Sequence, residues 1–157
     1  MFSNDVTAIF IALLLSGCAS VPMGDVQEDA RTKTFQAAPE KSGVYIYRNE
    51  SFGAAIRMDV LVDGKTLGQT AAKTYFFTEL PPGKHTVTSV SENTDTLSFE
   101  TAPGKLYYVW QEVKMGLIYA RTKLHLVSEA DGQKGVLESK LAASPDTSNA
   151  VQSTTAP

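Results

Sequence analysis

Three kinds of side chain in this sequence have chemistry to offer: one thiol, two imidazoles and a scatter of carboxylates. The thiol is that of Cys18, which follows Leu15-Ser16-Gly17 and a largely apolar run from Val6 to Leu15. That run is too short to span a bilayer, which takes about 20 apolar residues. An apolar stretch closed by small residues is the pattern of a cleaved export signal, because a peptidase must fit the extended backbone around the cut. The expected cut falls before Cys18, with Leu15, Ser16 and Gly17 as the peptidase recognition residues. His85 and His125 are unaccompanied by HExxH, CxxC, GxSxG or a Gly-rich phosphate loop. His85 shares strand parity with Val87, so it is expected to point inward or along an edge and to hydrogen-bond a backbone carbonyl. His125 alternates with Leu124 and Leu126 and is expected on a solvent face. Asp59, Asp63, Glu79 and Asp95 lack the dense oxygen spacing of a calcium loop and read as turn and edge charges. No catalytic residue and no metal ligand is expected.

Leu15-Ser16-Gly17-Cys18 resembles the bacterial lipobox. The resemblance implies a thiol alkylated by diacylglycerol, a cut that leaves Cys18 as first residue, and an N-acyl chain on the new terminus. The only non-protein group expected is therefore covalent lipid on Cys18. Each buried methylene contributes about 0.8 kcal/mol and firm attachment takes more than one chain, a condition a triacylated cysteine meets. Ala19 stands where an aspartate would favour retention at the inner membrane, so the expected place is the outer membrane, facing the periplasm.

Beyond a 17-residue leader, 140 of the 157 residues remain, enough for one modest domain with tails. The formal charge of −3 becomes −2 once Asp5 leaves with the leader, and nothing in that balance points to nucleic acid. With one cysteine no disulfide can form within the chain, so stability must come from packing.

Residues 18–41 mix Gly, Pro, Ala and alternating charge with few large apolar side chains, and are expected to form a flexible lipidated tether spanning ~25 to 30 Å. Residues 143–157 are small, polar and aperiodic, as disordered tails are. Residues 42–142 carry the signals of strands. Val44 to Arg48 is β-branched and aromatic; Ile56, Met58, Val60 and Val62 place four apolar side chains on one face. Asp63-Gly64 marks a hairpin, because both residues tolerate the positive φ of a primed turn, and Lys65 to Thr70 should return antiparallel. Thr74 to Leu80 is stopped by Pro81-Pro82-Gly83; Lys84 to Ser91, Thr96 to Thr101, Leu106 to Val113 and Arg121 to Val127 follow. Ser128 with Asp131 three places on is a helix start, although Gly132 and Gly135 each cost about 1 kcal/mol against alanine in a helix interior. The expected fold class is all-β, mainly antiparallel: a small β-sandwich of 7–8 strands with a short C-terminal helix.

Val60-Leu61-Val62-Asp63-Gly64, Gly68 and Leu80-Pro81-Pro82-Gly83-Lys84-His85-Thr86-Val87 resemble the hairpins of PEGA-type β-sandwich modules. With Val44 to Arg48, Gly104 to Val109 and the closing helix, residues 42–142 are similar to an uncharacterised domain family of bacterial lipoproteins. The resemblance implies a fold and brings no catalytic residues, and a fold alone does not fix an activity.

Tyr107, Tyr108 and Trp110, with Tyr45 and Tyr47, suit two roles: a platform on which sugar rings or a partner stack, or packing within the strands, where aromatics are commonplace. An unpaired strand edge is a further docking mode. The expectation is a lipid-anchored, non-catalytic binding or scaffolding module, partnered by the bilayer and by an envelope protein or cell-wall glycan. The alternative is a cell-wall hydrolase or enzyme-inhibitor domain using Glu112 or Asp95 beside an aromatic groove.

Overall fold

Eight strands, several of alternating polarity and β1 buried throughout, are laid down as two facing sheets in a computed structural model that describes residues 20–145. Strands β1 (Ser42–Arg48), β4 (Thr74–Leu80), β7 (Leu106–Met115) and β8 (Ala120–Val127) form one sheet with a two-residue β9 (Lys140–Leu141), in the order β8-β7-β1-β4-β9. Strands β2 (Met58–Val62), β3 (Lys65–Thr70), β5 (Gly83–Val90) and β6 (Thr94–Thr101) form the other, in the order β3-β2-β5-β6. Pairing is antiparallel except for β1 with β7 and β4 with β9. The all-β sandwich with a short C-terminal helix is thus present, and each expected strand begins and ends within two residues of its sequence reading.

Period-two polarity explains the layers. In β2, Met58, Val60 and Val62 are buried while Asp59 and Leu61 are not. Val60 and Val62 meet Val44, Ile46, Phe76 and Val109 of the opposite sheet in the central core, and Met58 packs with Val113 and Ala120 in a smaller cluster. A polar chain crosses that core: Thr70 Oγ1 donates to Gln111 Oε1 at 2.5 Å, Gln111 Nε2 donates to Ser89 Oγ at 2.6 Å, and Ser89 Oγ lies 2.7 Å from Thr122 Oγ1. Buried polar groups paired in this way fix how the two sheets sit on each other.

The outer face of the five-stranded sheet is the aromatic one, where Tyr45, Tyr47, Tyr75 and Tyr108 are buried under two helices. Helix α2 (Glu129–Leu137) starts at Ser128, whose Oγ accepts the Asp131 N–H. Gly132 and Gly135 face the sheet. A Cβ on Gly132 would lie 2.1 Å from Tyr108 Cγ, and one on Gly135 would lie 2.0 Å from Tyr47 Cε2. The glycines weaken the helix as a helix but let its backbone rest on two tyrosine rings.

The expected flexible tether over residues 18–41 is corrected from Ser20 onward. Helix α1 (Val26–Thr32) is capped by Asp25, whose carboxylate accepts the N–H groups of Gln27 and Glu28. Tertiary polar contacts hold it down: Asp29 Oδ1 accepts the Leu141 N–H at 2.9 Å and the Tyr75 hydroxyl at 2.9 Å, and Lys33 Nζ donates to the Ser139 carbonyl at 2.7 Å. Val21 enters the central core, and Phe35 packs tilted on the rings of Tyr45 and Tyr108. The charges that suggested a solvated linker are the groups that dock it. At the other end the ordered chain extends past the expected limit of 142: the Ala143 N–H donates to the Pro22 carbonyl and Ser144 is buried. Residues 146–157 of the expected tail lie outside the described residues, as does the 1–17 leader.

Candidate functional site

The strands place the histidines in two distant settings. His85, on β5, is buried with both ring nitrogens engaged: Nδ1 lies 2.6 Å from Asp63 Oδ2 and Nε2 lies 2.6 Å from the Pro81 carbonyl. Two acceptors on one ring favour the doubly protonated form. Burial is the largest influence on His85 and pushes it down, but the bonds to Asp63 and Pro81 outweigh it and the net shift is upward. Asp63 is likewise pushed up by burial and pulled further down by His85 and by the Thr86 N–H. The carbonyl contact read from the sequence is present, and Asp63, read as a turn charge, is in addition the partner of His85.

His125, on β8, sits beside Trp110 on β7 because the two are register partners. Their rings stack with centroids 5.0 Å apart, and His125 Nε2 lies 2.7 Å from Glu112 Oε2. The bond from His125 holds the Glu112 carboxyl below its ordinary range. Trp110 Nε1 donates to Glu50 Oε2 at 3.2 Å, while Glu50 Oε1 accepts the Val113 N–H. Trp110 and His125 are half-buried, so this cluster faces partly outward on the helix-bearing side.

The other two aromatic candidates do not join it. Tyr108 is 1% exposed beneath α2 and is corrected from a partner-binding residue to a packing one, stacked on Tyr45 at 5.1 Å. Tyr107 points to the opposite face, packs on Phe99 and accepts the Ala102 N–H on its hydroxyl. The alternation of a strand separates neighbours in sequence onto opposite faces. Asp95 lies on the four-stranded sheet, where Oδ2 accepts the Leu124 N–H at 2.7 Å and meets Lys123.

A third region comes from residues that sequence reasoning passed over. The loops 49–57, 71–73, 91–93 and 116–119 gather at one end of the sandwich, since β1–β2, β3–β4, β5–β6 and β7–β8 are joined there. Arg48, 0% exposed, donates from Nη1 to the Ile56 carbonyl at 2.7 Å and from Nη2 to the Gly53 carbonyl at 2.6 Å, which shapes the first of these loops. Burial lowers its pKa. Glu92 caps the last: its carboxylate accepts the N–H groups of Leu117, Ile118 and Tyr119, and these bonds lower its pKa. The hairpin tip so held presents Leu117 at 94% and Ile118 at 97% exposure. Its signal in the sequence is Met115-Gly116-Leu117-Ile118-Tyr119, a turn with a glycine but without the Asn or Asp that commonly accompanies one and with Leu and Ile in its place.

Cys18, Leu15, Ser16 and Gly17 lie outside the described residues. Ser20, two positions after Cys18, lines a cleft with Ala71, Lys73, Thr74, Glu138 and Lys140 at that same loop end. Among the described residues no helix is long and apolar enough to cross a membrane.

A family model described as "Protein of unknown function (DUF2846)" matches residues 38–122, from just before β1 into β8. The chain belongs to that family. It is also 39% identical over 140 residues to an uncharacterized protein of Haemophilus influenzae, the match covering 87% of this chain and 82% of the relative. The family match takes in β1 to β7 and the first three residues of β8, and stops short of α2. An uncharacterised domain family is what the sequence resemblance implied.

Proposed function

We propose that the chain is a lipoprotein of the cell envelope, held on the outer membrane and facing the periplasm by diacylglycerol and an N-acyl chain on Cys18. Its sandwich acts as a non-catalytic binding or scaffolding module for an envelope protein or a cell-wall glycan. The observation that carries the reading is Leu15-Ser16-Gly17-Cys18 after an apolar run, with the folded domain beginning at Val21. The polar side chains support a module that recognises rather than reacts. His85 spends both ring nitrogens on Asp63 and Pro81, and Glu50 and Glu92 accept backbone N–H groups that fix loops. Of the three aromatics considered for a partner, Tyr108 is buried, while Tyr107 and Trp110 are each half-buried on opposite faces of the sheet, Trp110 stacked on the half-buried His125. An aromatic anchor of this kind commonly carries a large share of an interface's binding energy.

The test of attachment is Cys18→Ser in cells fed a fatty-acid analogue. The wild-type chain should take up label and be processed, whereas the variant should remain an unlabelled precursor, because a hydroxyl does not replace the thiol in acylation. Equal labelling of the two would remove the basis of the reading.

A further inference from the structure

We propose that the loop end of the sandwich is seated on the bilayer, with the β7–β8 hairpin tip inserted among the lipids as a second attachment beside the acylated Cys18. This rests on the lipid-anchor reading above. Four observations converge on it.

The first is the tip itself. Leu117 and Ile118 are almost wholly exposed, with Met115 at 80% and Tyr119 at 54% beside them, and Phe52 is exposed on the neighbouring loop. Single exposed apolar residues are unremarkable, but a contiguous apolar run at the surface marks a place of contact. The second is that the tip is built, not loose. Three consecutive N–H groups are tied to Glu92, and a Cβ on Gly116 would stand 2.1 Å from Glu92 Oε2 and 3.0 Å from the Ala120 backbone. Holding the backbone polar groups internally is what an apolar medium requires.

The third is where the chain enters. Ser20 lines its cleft with the β3–β4 turn, at the end of the sandwich that carries the tip. Two residues of chain reach at most about 7 Å, which bounds how far from Ser20 the lipid of the proposed anchor can be attached. The tip belongs to β7 and β8 and the entry to β4 and β9, which are two to four strands apart in one sheet, or roughly 10 to 20 Å at the usual strand spacing. Two contacts at that separation fix a tilt that one anchor leaves free. The fourth is charge. Arg57, Lys73 and Arg121 are exposed around the same end. The carboxylates there are each bound by donors of the fold, Glu50 by Trp110 and the Val113 N–H, Glu92 by the N–H groups of the tip and Glu138 by Asn49, though Glu92 and Glu138 stay exposed. An apolar tip with a tyrosine at its base and cations at its rim suits a leaflet with anionic headgroups.

The experiment uses the full chain carrying Ile118→Cys, in which acylation of Cys18 leaves the introduced thiol as the one that reacts. A nitroxide on it is read in vesicles of phosphatidylethanolamine and phosphatidylglycerol, against the same label on Lys65→Cys at the opposite end. Collisions with oxygen, which partitions into lipid, are compared with collisions with a water-soluble nickel chelate. The ratio at position 118 should rise several-fold over that at 65 and stay raised when vesicles hold fewer than one protein each. A label at 118 as open to nickel as that at 65 overturns the proposal, and so does shielding that vanishes on dilution, which would mean a second copy covers the tip. Fatty-acid labelling of the same preparation separates the two levels. Acylated protein with a wet tip leaves the anchor standing and removes the seating; protein without acyl label removes both.

Discussion

The two ends of the sandwich are held by different means. At one end the turns are local: Asp63-Gly64 closes β2 on β3 with φ of 50° and 78°, and Pro81-Pro82-Gly83 closes β4 on β5 with Gly83 at φ 139°. Each is shaped first by residues adjacent in sequence, whose φ preferences match the turn, with Asp63 bound in addition to His85 and the Thr86 N–H. At the other end the loops are held from a distance. Arg48 reaches five and eight residues ahead to two carbonyls; Glu92 reaches across some 25 residues to the hairpin tip; Asn93 brackets Thr122 through its N–H and its carbonyl. Locally encoded turns leave a polar, closed end. Remotely held loops leave side chains such as Leu117 and Ile118 available for contact, which is how a scaffold commonly presents function.

If that contrast is right, the largest effect should come from the remote clamp. Arg48→Ala removes a large buried side chain and the donors of two hydrogen bonds, leaving a cavity and carbonyls without partners. The expected loss is about 3 kcal/mol in urea unfolding of the folded chain. Amide exchange should quicken across residues 49–57 before it does so in the hairpins of the opposite end. A variant that melts with wild type would mean the loop holds itself. Next in size is a break at the local end: Gly83→Val forces a β-branched residue to φ 139°, for which an expected cost of about 2 kcal/mol follows from backbone strain alone, since a Cβ there meets nothing within 4 Å. Exchange should then quicken around Pro81–Lys84 and leave the 116–119 tip unchanged.

The same contrast explains what the sequence made legible. Strand limits and the Asp63-Gly64 hairpin were readable because alternation and turn residues act within a few positions. So was the Ser128 cap. Helix α1 was not, because what orders it is the meeting of Asp29 and Lys33 with Tyr75, Leu141 and Ser139, partners 46 to 112 positions away. Gly132 and Gly135 looked like weaknesses in α2, and only the tyrosines beneath them show that bulk is what the site excludes. Tyr107 and Tyr108 looked like one aromatic surface, yet strand alternation sends one to the central core and the other under α2. The exposed tip had a signal, Leu117 and Ile118 in a five-residue stretch without a charged or amide side chain, but a hydrophobic run reads as core until a structure shows that it faces outward.

The smallest effect expected is a pH dependence at the local end, from His85 and Asp63. His85 has its folded pKa raised, so the stability it adds is fully present below the ordinary histidine value of about 6.5 and is lost as pH rises through the folded value. Asp63 has its folded pKa lowered, so its share is present above the ordinary value of about 3.9 and is lost as pH falls through the folded value. The pair therefore strengthens the hairpin most between these limits. The Asp63 side chain is 41% exposed, and solvent screening keeps the contribution small. Asp63→Asn isolates it, because asparagine tolerates the φ of 50° and its side-chain oxygen can still accept the Thr86 N–H, while the charge facing His85 is gone. Melting temperatures of the two chains should differ most near pH 5 and converge toward pH 9 and toward pH 2. A difference that stays constant from acid to alkali would show that the imidazole is held by shape and by the Pro81 carbonyl rather than by charge.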